Sequence, residues 1–380
     1  MDPKRLLQVV ASSRGGGAVH TLALSAELAA AGHEVTVAMP TDGGHLAAAD
    51  FEAAGARFVG LPGGKRSLTG RVRDLGAVIR QVRPELVHAH GSRAAVWARC
   101  ALLFRRLPAT GFVYSVHGFA TPHYPQPRRL VQGLMMRWVS AGAEAVIACC
   151  ESERAELVAA GIAPARRIAA ISCGFELRPF LQLDHSARQR AREALDIPDG
   201  AWLLLMVCRL DRPRDFKTLF ESFRRVVENR PGALLFIVGD GPERTALEEQ
   251  VRLCALSGPV RMWGFRRDVA SFCAAADALV LTSWGWEGLP VSVIEAQAAG
   301  LPAVVTDAGG AKEAISPEVS GILVPRRDSA ALAAALLRLA RDPELAAGMG
   351  ANARRHAQER FGSAQTAGRM EGLYATLIDA

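Results

Sequence analysis

Residues 278–310 read ALVLTSWGWEGLPVSVIEAQAAGLPAVVTDAGG. The apolar run ALVLTS has the length and composition of a strand, and the loop after it holds two glycines before a helix starts near Pro290. Proline suits a first helical turn because it has no amide hydrogen to leave unpaired there. The chain then returns in a second apolar run, PAVVTD at 302–307. A strand–loop–helix–strand unit of this kind builds a parallel sheet whose ligands bind at the carboxyl edge. The helix start around Gly288, Leu289, Pro290 and Val291 directs the amides of Leu289, Val291 and Ser292 at that edge, a setting that favours an anion such as a diphosphate. Glu287 stands just before the helix and Glu295 lies about five residues into it, roughly 7–8 Å along the axis at 1.5 Å per residue. That reach matches the distance from a nucleotide's phosphates to its ribose hydroxyls. Glu287, on the other side of the phosphates, is placed for the hydroxyls of an attached sugar. The plainer alternative is a turn flanked by two solvated glutamates.

Outward from this segment the same alternation recurs. Strand candidates in the first half are 6–11, 33–39, 56–61, 85–90, 112–118, 145–150 and 167–173; in the second they are 202–210, 233–240, 260–264, 278–283, 302–307 and 321–325. Between them lie stretches such as AVHTLALSAELAAAG (18–32) and FKTLFESFRRVVENR (216–230), apolar at helical spacing. Two consecutive series predict two Rossmann-like, doubly wound α/β domains facing a cleft. The expected boundaries are 1–180 for an acceptor domain and 181–360 for a donor domain, with 361–380 a helix that packs back onto the first. The hinge is expected near 174–200, where the composition turns polar. Beyond Pro325 the chain reads as almost all helix.

Composition narrows the function. Half of the 380 residues are hydrophobic, which excludes intrinsic disorder. No run approaches the roughly 18 apolar residues of a membrane span. The basic amino terminus leads into LLQVVA, which stops at Ser12 and is too short for a signal peptide. Seven cysteines, none in CxxC spacing and two of them adjacent (Cys149, Cys150), predict reduced thiols in a cytosolic protein. The net charge of +7 is uneven: up to residue 180 there are 21 Lys+Arg against 13 Asp+Glu, and beyond it 24 against 25. Residues 51–142 alone carry 14 cations and three anions. Such a skew predicts an anionic partner, nucleic acid or acidic lipid. Three tyrosines in the whole chain, and no aromatics interleaved with the arginines, argue against a nucleic-acid surface.

Three further segments carry candidate chemistry. In VCRLDRPRDFKTLFES (207–222), Arg209 ends a strand and Lys217 opens the next helix, so both cations reach the carboxyl edge of one sheet and are placed to neutralise a leaving diphosphate. Arg212 and Arg214 read as surface cations. In SSRGGGAVH (12–20), three glycines permit close backbone approach of an anion, but His20 breaks the dinucleotide fingerprint and no lysine completes a P-loop. Histidines end two strands: His88 and His90 in ELVHAH, and His117 in VHGF. His88 reads as structural and His90 as an acceptor contact. His117, followed by glycine in a cleft-facing loop, is the candidate catalyst. There is no D-x-D and no H-E-x-x-H, so no metal site is expected.

The pieces GGG with AGHEVTV, the VHGF strand end, CRL…FK, VGDGPE, WGFRRDV and EGLPVSVIEAQAAGLPAVVT occur in one order from about residue 6 to 325. In that order the chain resembles the group-1 (family 4-like) retaining nucleotide-sugar glycosyltransferases of the GT-B fold. The resemblance implies that Arg209 and Lys217 hold the donor diphosphate with Gly16 and Gly17, that Glu295 binds the ribose and Glu287 the transferred sugar, and that the backbone at Gly264, Phe265 and Arg266 meets the base. It implies that His117 faces the reacting sugar and acceptor. UDP-sugars are the favoured donors, with no cofactor and no metal. The implied acceptor is a glycan, lipid-linked, in bacterial surface polysaccharide or lipopolysaccharide synthesis. The basic first half would then dock on an anionic membrane, placing the protein in the cytoplasm, peripheral at the inner membrane face. Cys173 departs from the family, which usually has asparagine there. A sugar-nucleotide epimerase on the same scaffold, a nicotinamide oxidoreductase and a non-catalytic binder of anionic polymers are the competing readings.

Overall fold

Parallel strands buried on both faces need apolar side chains in both directions, which is why the strand candidates read as unbroken hydrophobic runs. The computed structural model describes residues 2–13, 15–41, 46–64, 66–104, 110–119, 124–285 and 287–378, with Phe104 described by its backbone alone. The chain forms two compact units, 1–176 with 361–380, and 177–360.

The first unit holds β1 (Arg5–Val10), β2 (Glu34–Pro40), β3 (Arg57–Leu61), β4 (Leu86–His90), β5 (Gly111–Ser115), β6 (Ala145–Ala148) and β7 (Ile168–Ala170). They pair in the order β3-β2-β1-β4-β5-β6-β7, all parallel. The helix Ser363–Ile378 belongs to this unit and buries Ala367, Met370 and Tyr374 in its core. Phe175 and the 361–363 segment are tied by backbone bonds, Phe175 N to Phe361 O at 3.0 Å and Ser363 N to Phe175 O at 3.2 Å.

The second unit holds β8 (Trp202–Val207), β9 (Ala233–Val238), β10 (Val260–Gly264), β11 (Ala278–Leu281), β12 (Ala303–Thr306) and β13 (Gly321–Val324), ordered β10-β9-β8-β11-β12-β13. Both sheets are therefore doubly wound α/β sheets. Each has a switch point, between β1 and β4 in one and between β8 and β11 in the other, where successive connections leave in opposite directions and open a ligand crevice. The units divide at 176/177, inside the stretch expected as a hinge, and the polar part of that stretch is helical. Asp184 caps a helix, His185–Ala194, whose Arg188 and Arg192 bind Asp277 and the carbonyls of Ala274–Ala276.

Candidate active site

In the second unit, β8 exits into Cys208–Asp215 and β11 into Thr282–Pro290, so the two most informative segments flank one switch point. They are stitched together. Asp215 N donates to Thr282 O at 3.1 Å, Trp284 N to Pro213 O at 3.0 Å, and Thr282 Oγ1 to Asp215 O at 2.9 Å. Two glycines buttress these loops. At Gly239 (φ +135°) a Cβ would lie 1.8 Å from Cys208 O, and at Gly309 (φ +51°) one would lie 2.3 Å from Glu287 O. Both positions therefore exclude a side chain.

Arg209 lies just beyond β8, its side chain 66 % exposed and paired with Asp211 at 2.6 Å. Lys217 is in the first turn of the helix Phe216–Asn229, capped by Asp215, and is 79 % exposed. It lines a cavity of about 500 Å³ with Arg214, Trp284 and Arg327. The two cations project from the carboxyl edge into solvent, Arg209 paired with Asp211 and Lys217 3.9 Å from Glu221.

Glu287 is not solvated. Its carboxylate takes a bidentate ion pair from Arg214 and a 2.8 Å bond from Ser283 Oγ, and the Arg214 and Glu287 side chains are 15 % and 11 % exposed. Burial opposes the Arg214 charge, but Glu287 outweighs it and holds the guanidinium above its ordinary range. The helix Val291–Ala298 starts from Pro290, with Val293 N the first amide to bond back, so the amides at its start face outward. Glu295 lies within it, half-buried, and the surrounding protein pushes its carboxyl up to about 7. Gly264 ends β10 (φ +71°), and Phe265 beyond it is exposed.

In the first unit, β1, β4 and β5 end side by side, Val10 beside His90 and His90 beside Ser115. Their exits line a cavity of about 540 Å³ with Gly16, Gly17, Arg93, His117 and Arg128. Two helices, Gly16–Ala30 and Ser92–Phe104, begin at its wall. His117 has φ +50°, a left-handed conformation costly for a side chain of this kind, and its ring lies against Gly17. Its Nε2 is 2.9 Å from His90 Nδ1 and its Nδ1 is 3.5 Å from Cys173 Sγ. His90 Nε2 meets Gln8 Oε1 at 2.7 Å. Burial pushes His117 down to about 4, with Glu153 working the other way, and pushes His90 well below its ordinary value. The rings are neutral at pH 7.

Two family models match the chain consecutively: Glycosyltransferase Family 4 over residues 14–178, and Glycosyl transferases group 1 over residues 187–356. Together they cover both units. The chain is a group 1 glycosyltransferase. Its relatives include the glycosyltransferase EpsD of Bacillus subtilis (strain 168), 29 % identical over 81 % of this chain and 80 % of that one. Another is the UDP-Gal:alpha-D-GlcNAc-diphosphoundecaprenol alpha-1,3-galactosyltransferase of Escherichia coli, 25 % identical over 80 % and 79 %. Anabaena HepE, crystallised with UDP and glucose, shares the fold at a TM-score of 0.86 and 21 % identity, covering 98 % of this chain and all of the other. The two-domain GT-B fold follows from that likeness.

Within this glycosyltransferase, two sequence expectations need correction. Arg214, expected at the surface, is the buried partner of Glu287, and its place directly before the Asp215 cap was the signal available. His90, expected to touch the acceptor, spends both ring nitrogens on His117 and Gln8. His88 is structural as read, buried between Tyr374 OH at 2.6 Å and Ser115 Oγ at 2.7 Å. Of the basic residues assigned to docking, Lys65, Arg105 and Arg106 lie outside the described residues.

Proposed function

We propose that the protein moves a sugar from a nucleoside diphosphate donor, a UDP-sugar foremost, to a hydroxyl of a lipid-linked glycan, in the synthesis of bacterial surface polysaccharide or lipopolysaccharide. The observation that carries this reading is the second unit's switch point, where two exposed cations and an outward-facing helix start surround the Arg214–Glu287 pair. Arg209 and Lys217 would neutralise the leaving diphosphate without a metal. Arg214 and Ser283 orient Glu287, and the one carboxylate lone pair still unused, on Oε1, would accept a sugar hydroxyl. Glu295 would take the ribose.

Double displacement needs a carboxylate nucleophile close beneath the anomeric carbon. Glu287 is tied into its ion pair and Glu295 is assigned to the ribose. The favoured course is therefore same-face attack with retention, in which the bond to the diphosphate breaks as the acceptor oxygen bonds to the anomeric carbon. The acceptor's proton passes to the departing phosphate oxygen, and the protein supplies position and charge. His117 in the first unit is the acceptor-side residue. The Escherichia coli relative's name specifies a diphosphoundecaprenol acceptor, and the cavity beside His117 suits the phosphates of such a molecule, with Arg93, Arg128 and two helix starts at its wall.

Membrane docking has a specific surface. No helix among the described residues is long and apolar enough to cross a membrane. The helix Arg128–Ala141 instead exposes Leu130, Val131, Leu134 and Trp138 at 40–63 %. At 100° per residue these four fall within one arc of about 100°, away from buried Met136, Val139 and Ser140. Arg137 borders this arc. Apolar anchors with a basic neighbour suit the surface of an anionic leaflet, and the inner face of the cytoplasmic membrane is the one proposed.

A thermal-shift panel of UDP-, GDP- and ADP-sugars tests the donor, since a ligand that binds only the folded state raises its stability. Release of nucleoside diphosphate only when acceptor is present supports transfer; donor turnover without acceptor supports the epimerase.

A further inference from the structure

The histidines of the first unit do more than frame His117. His20, from the helix Gly16–Ala30, brings a third ring to the pair at the ends of β4 and β5. Ring centroids of His20 lie 5.3 Å from His117 and 5.9 Å from His90, and those of His90 and His117 lie 5.1 Å apart. One nitrogen from each converges within a space where all three are within 4.8 Å of one another.

Hydrogen bonding assigns which nitrogens are free. His20 Nδ1 is 3.1 Å from Gly174 O, and a carbonyl only accepts, so Nδ1 carries the proton. His20 Nε2 is then a bare lone pair, fully buried and without a partner among the described residues. That is an expensive arrangement to leave empty. His90 donates from Nε2 to Gln8 Oε1, which turns the Nδ1 lone pair toward His117. His117 has Cys173 Sγ behind its Nδ1. Each ring therefore has an outer partner that orients it, the pattern that fixes tautomer and direction in metal-binding histidines.

We propose that His20, His90 and His117 form a site for one divalent transition-metal ion of borderline softness, zinc foremost, with an open fourth position toward the cavity. In the metal-free protein, one proton is shared between His117 Nε2 and His90 Nδ1. On binding, that proton moves to His117 Nδ1, where it faces Cys173 Sγ, and the vacated Nε2 lone pair joins those of His20 and His90. No net proton is released. Zinc–nitrogen bonds of 2.0–2.1 Å place tetrahedral nitrogens about 3.3 Å apart, so the His90–His117 pair opens by about 0.4 Å from 2.9 Å and any pair as wide as 4.8 Å closes by about 1.5 Å. The ion sits in the first unit, whereas Arg209 and Lys217 belong to the second. If the transferase reading holds, it also ties up His117, so the loaded protein is switched off and a chelator restores it.

The test is binding, read without activity. Metal-stripped full-length protein is titrated with Zn2+ by calorimetry, and with Co2+ by the visible absorption of a four-coordinate ion. One ion per chain is expected. His20→Gln and His117→Gln should each weaken it at least about 100-fold, Gln8→Ala about tenfold through lost orientation, and His185→Gln on the surface not at all. Circular dichroism establishes that each variant is folded, and His117→Gln, at the cavity wall, is the substitution least exposed to a folding defect. No stoichiometric binding, or affinity unchanged in folded His117→Gln, would overturn the site. UDP binding measured in EDTA is independent of this result, so failure of the metal site and failure of the donor site read separately.

Discussion

Replacing Arg214 with alanine removes the partner of a carboxylate that is mostly withdrawn from water. Breaking a buried ion pair from one side costs about 3–5 kcal/mol, because the remaining charge keeps its desolvation and loses its compensation. Here the residual exposure of 15 % and 11 % and the surviving Ser283 bond place the effect at the low end, about 3 kcal/mol. At about 2–4 °C per kcal/mol for a unit of this size, the unfolding transition of residues 177–360 should fall by about 6–12 °C. Glu287→Gln should lose less, since the amide oxygen still accepts hydrogen bonds. The double variant Arg214→Ala/Glu287→Gln should be more stable than the sum of the single losses by about 2 kcal/mol, because it leaves no uncompensated charge. Chemical denaturation of the four proteins, followed by circular dichroism, measures the cycle. A loss below about 0.5 kcal/mol for Arg214→Ala, or strict additivity, would refute the argument that this pair organises the loop.

Other outcomes follow from single residues. Glu295 has a folded pKa of about 7, above the ordinary carboxylate value, so the folded state holds an extra proton between about pH 4.5 and 7. Its ionisation costs stability that is lost as pH rises through that window. Glu295→Gln should flatten the profile and stabilise the protein by about 3 kcal/mol at pH 8, while weakening nucleotide binding; an unchanged pH profile would show that the group is not strained. Gly309→Ala should cost about 2–3 kcal/mol and weaken donor binding through Glu287, because its Cβ would displace the Glu287 backbone. Leu130→Glu with Leu134→Glu should reduce co-sedimentation with anionic vesicles at least tenfold at low salt and leave UDP affinity unchanged.

All thirteen strands were legible, because strands buried on both faces leave no alternative to continuous apolar runs. Their ends were not. The run 112–118 was expected to be one strand, yet β5 stops at Ser115, since His117 takes a left-handed backbone that no ladder accommodates. The stretch 185–194 looked like a solvated linker because four of its ten residues are Arg or Glu at a glance of composition, but spacing Arg188 and Arg192 four apart puts both on Asp277. That Glu287, Glu295, Arg209 and Lys217 gather at one sheet edge of the second unit was legible because helix starts and strand ends are written locally. Arg214 was missed because an arginine-rich chain hides which arginine is buried. The meeting of His20, His90 and His117 is long-range: it depends on β1, β4 and β5 lying side by side, and no short spacing announces it.

In the proposed transferase, the second unit's switch point binds a nucleoside diphosphate through Arg209 and Lys217. Calorimetric titration of UDP into wild type, Arg209→Ala and Lys217→Ala, at one ionic strength and in EDTA, tests it most directly. Both side chains are exposed, so neither substitution should disturb the fold. Loss of one charge-assisted bond to the diphosphate, about 1.5–3 kcal/mol, predicts at least a tenfold weaker Kd for each variant. UDP binding of equal strength in all three proteins would contradict the account.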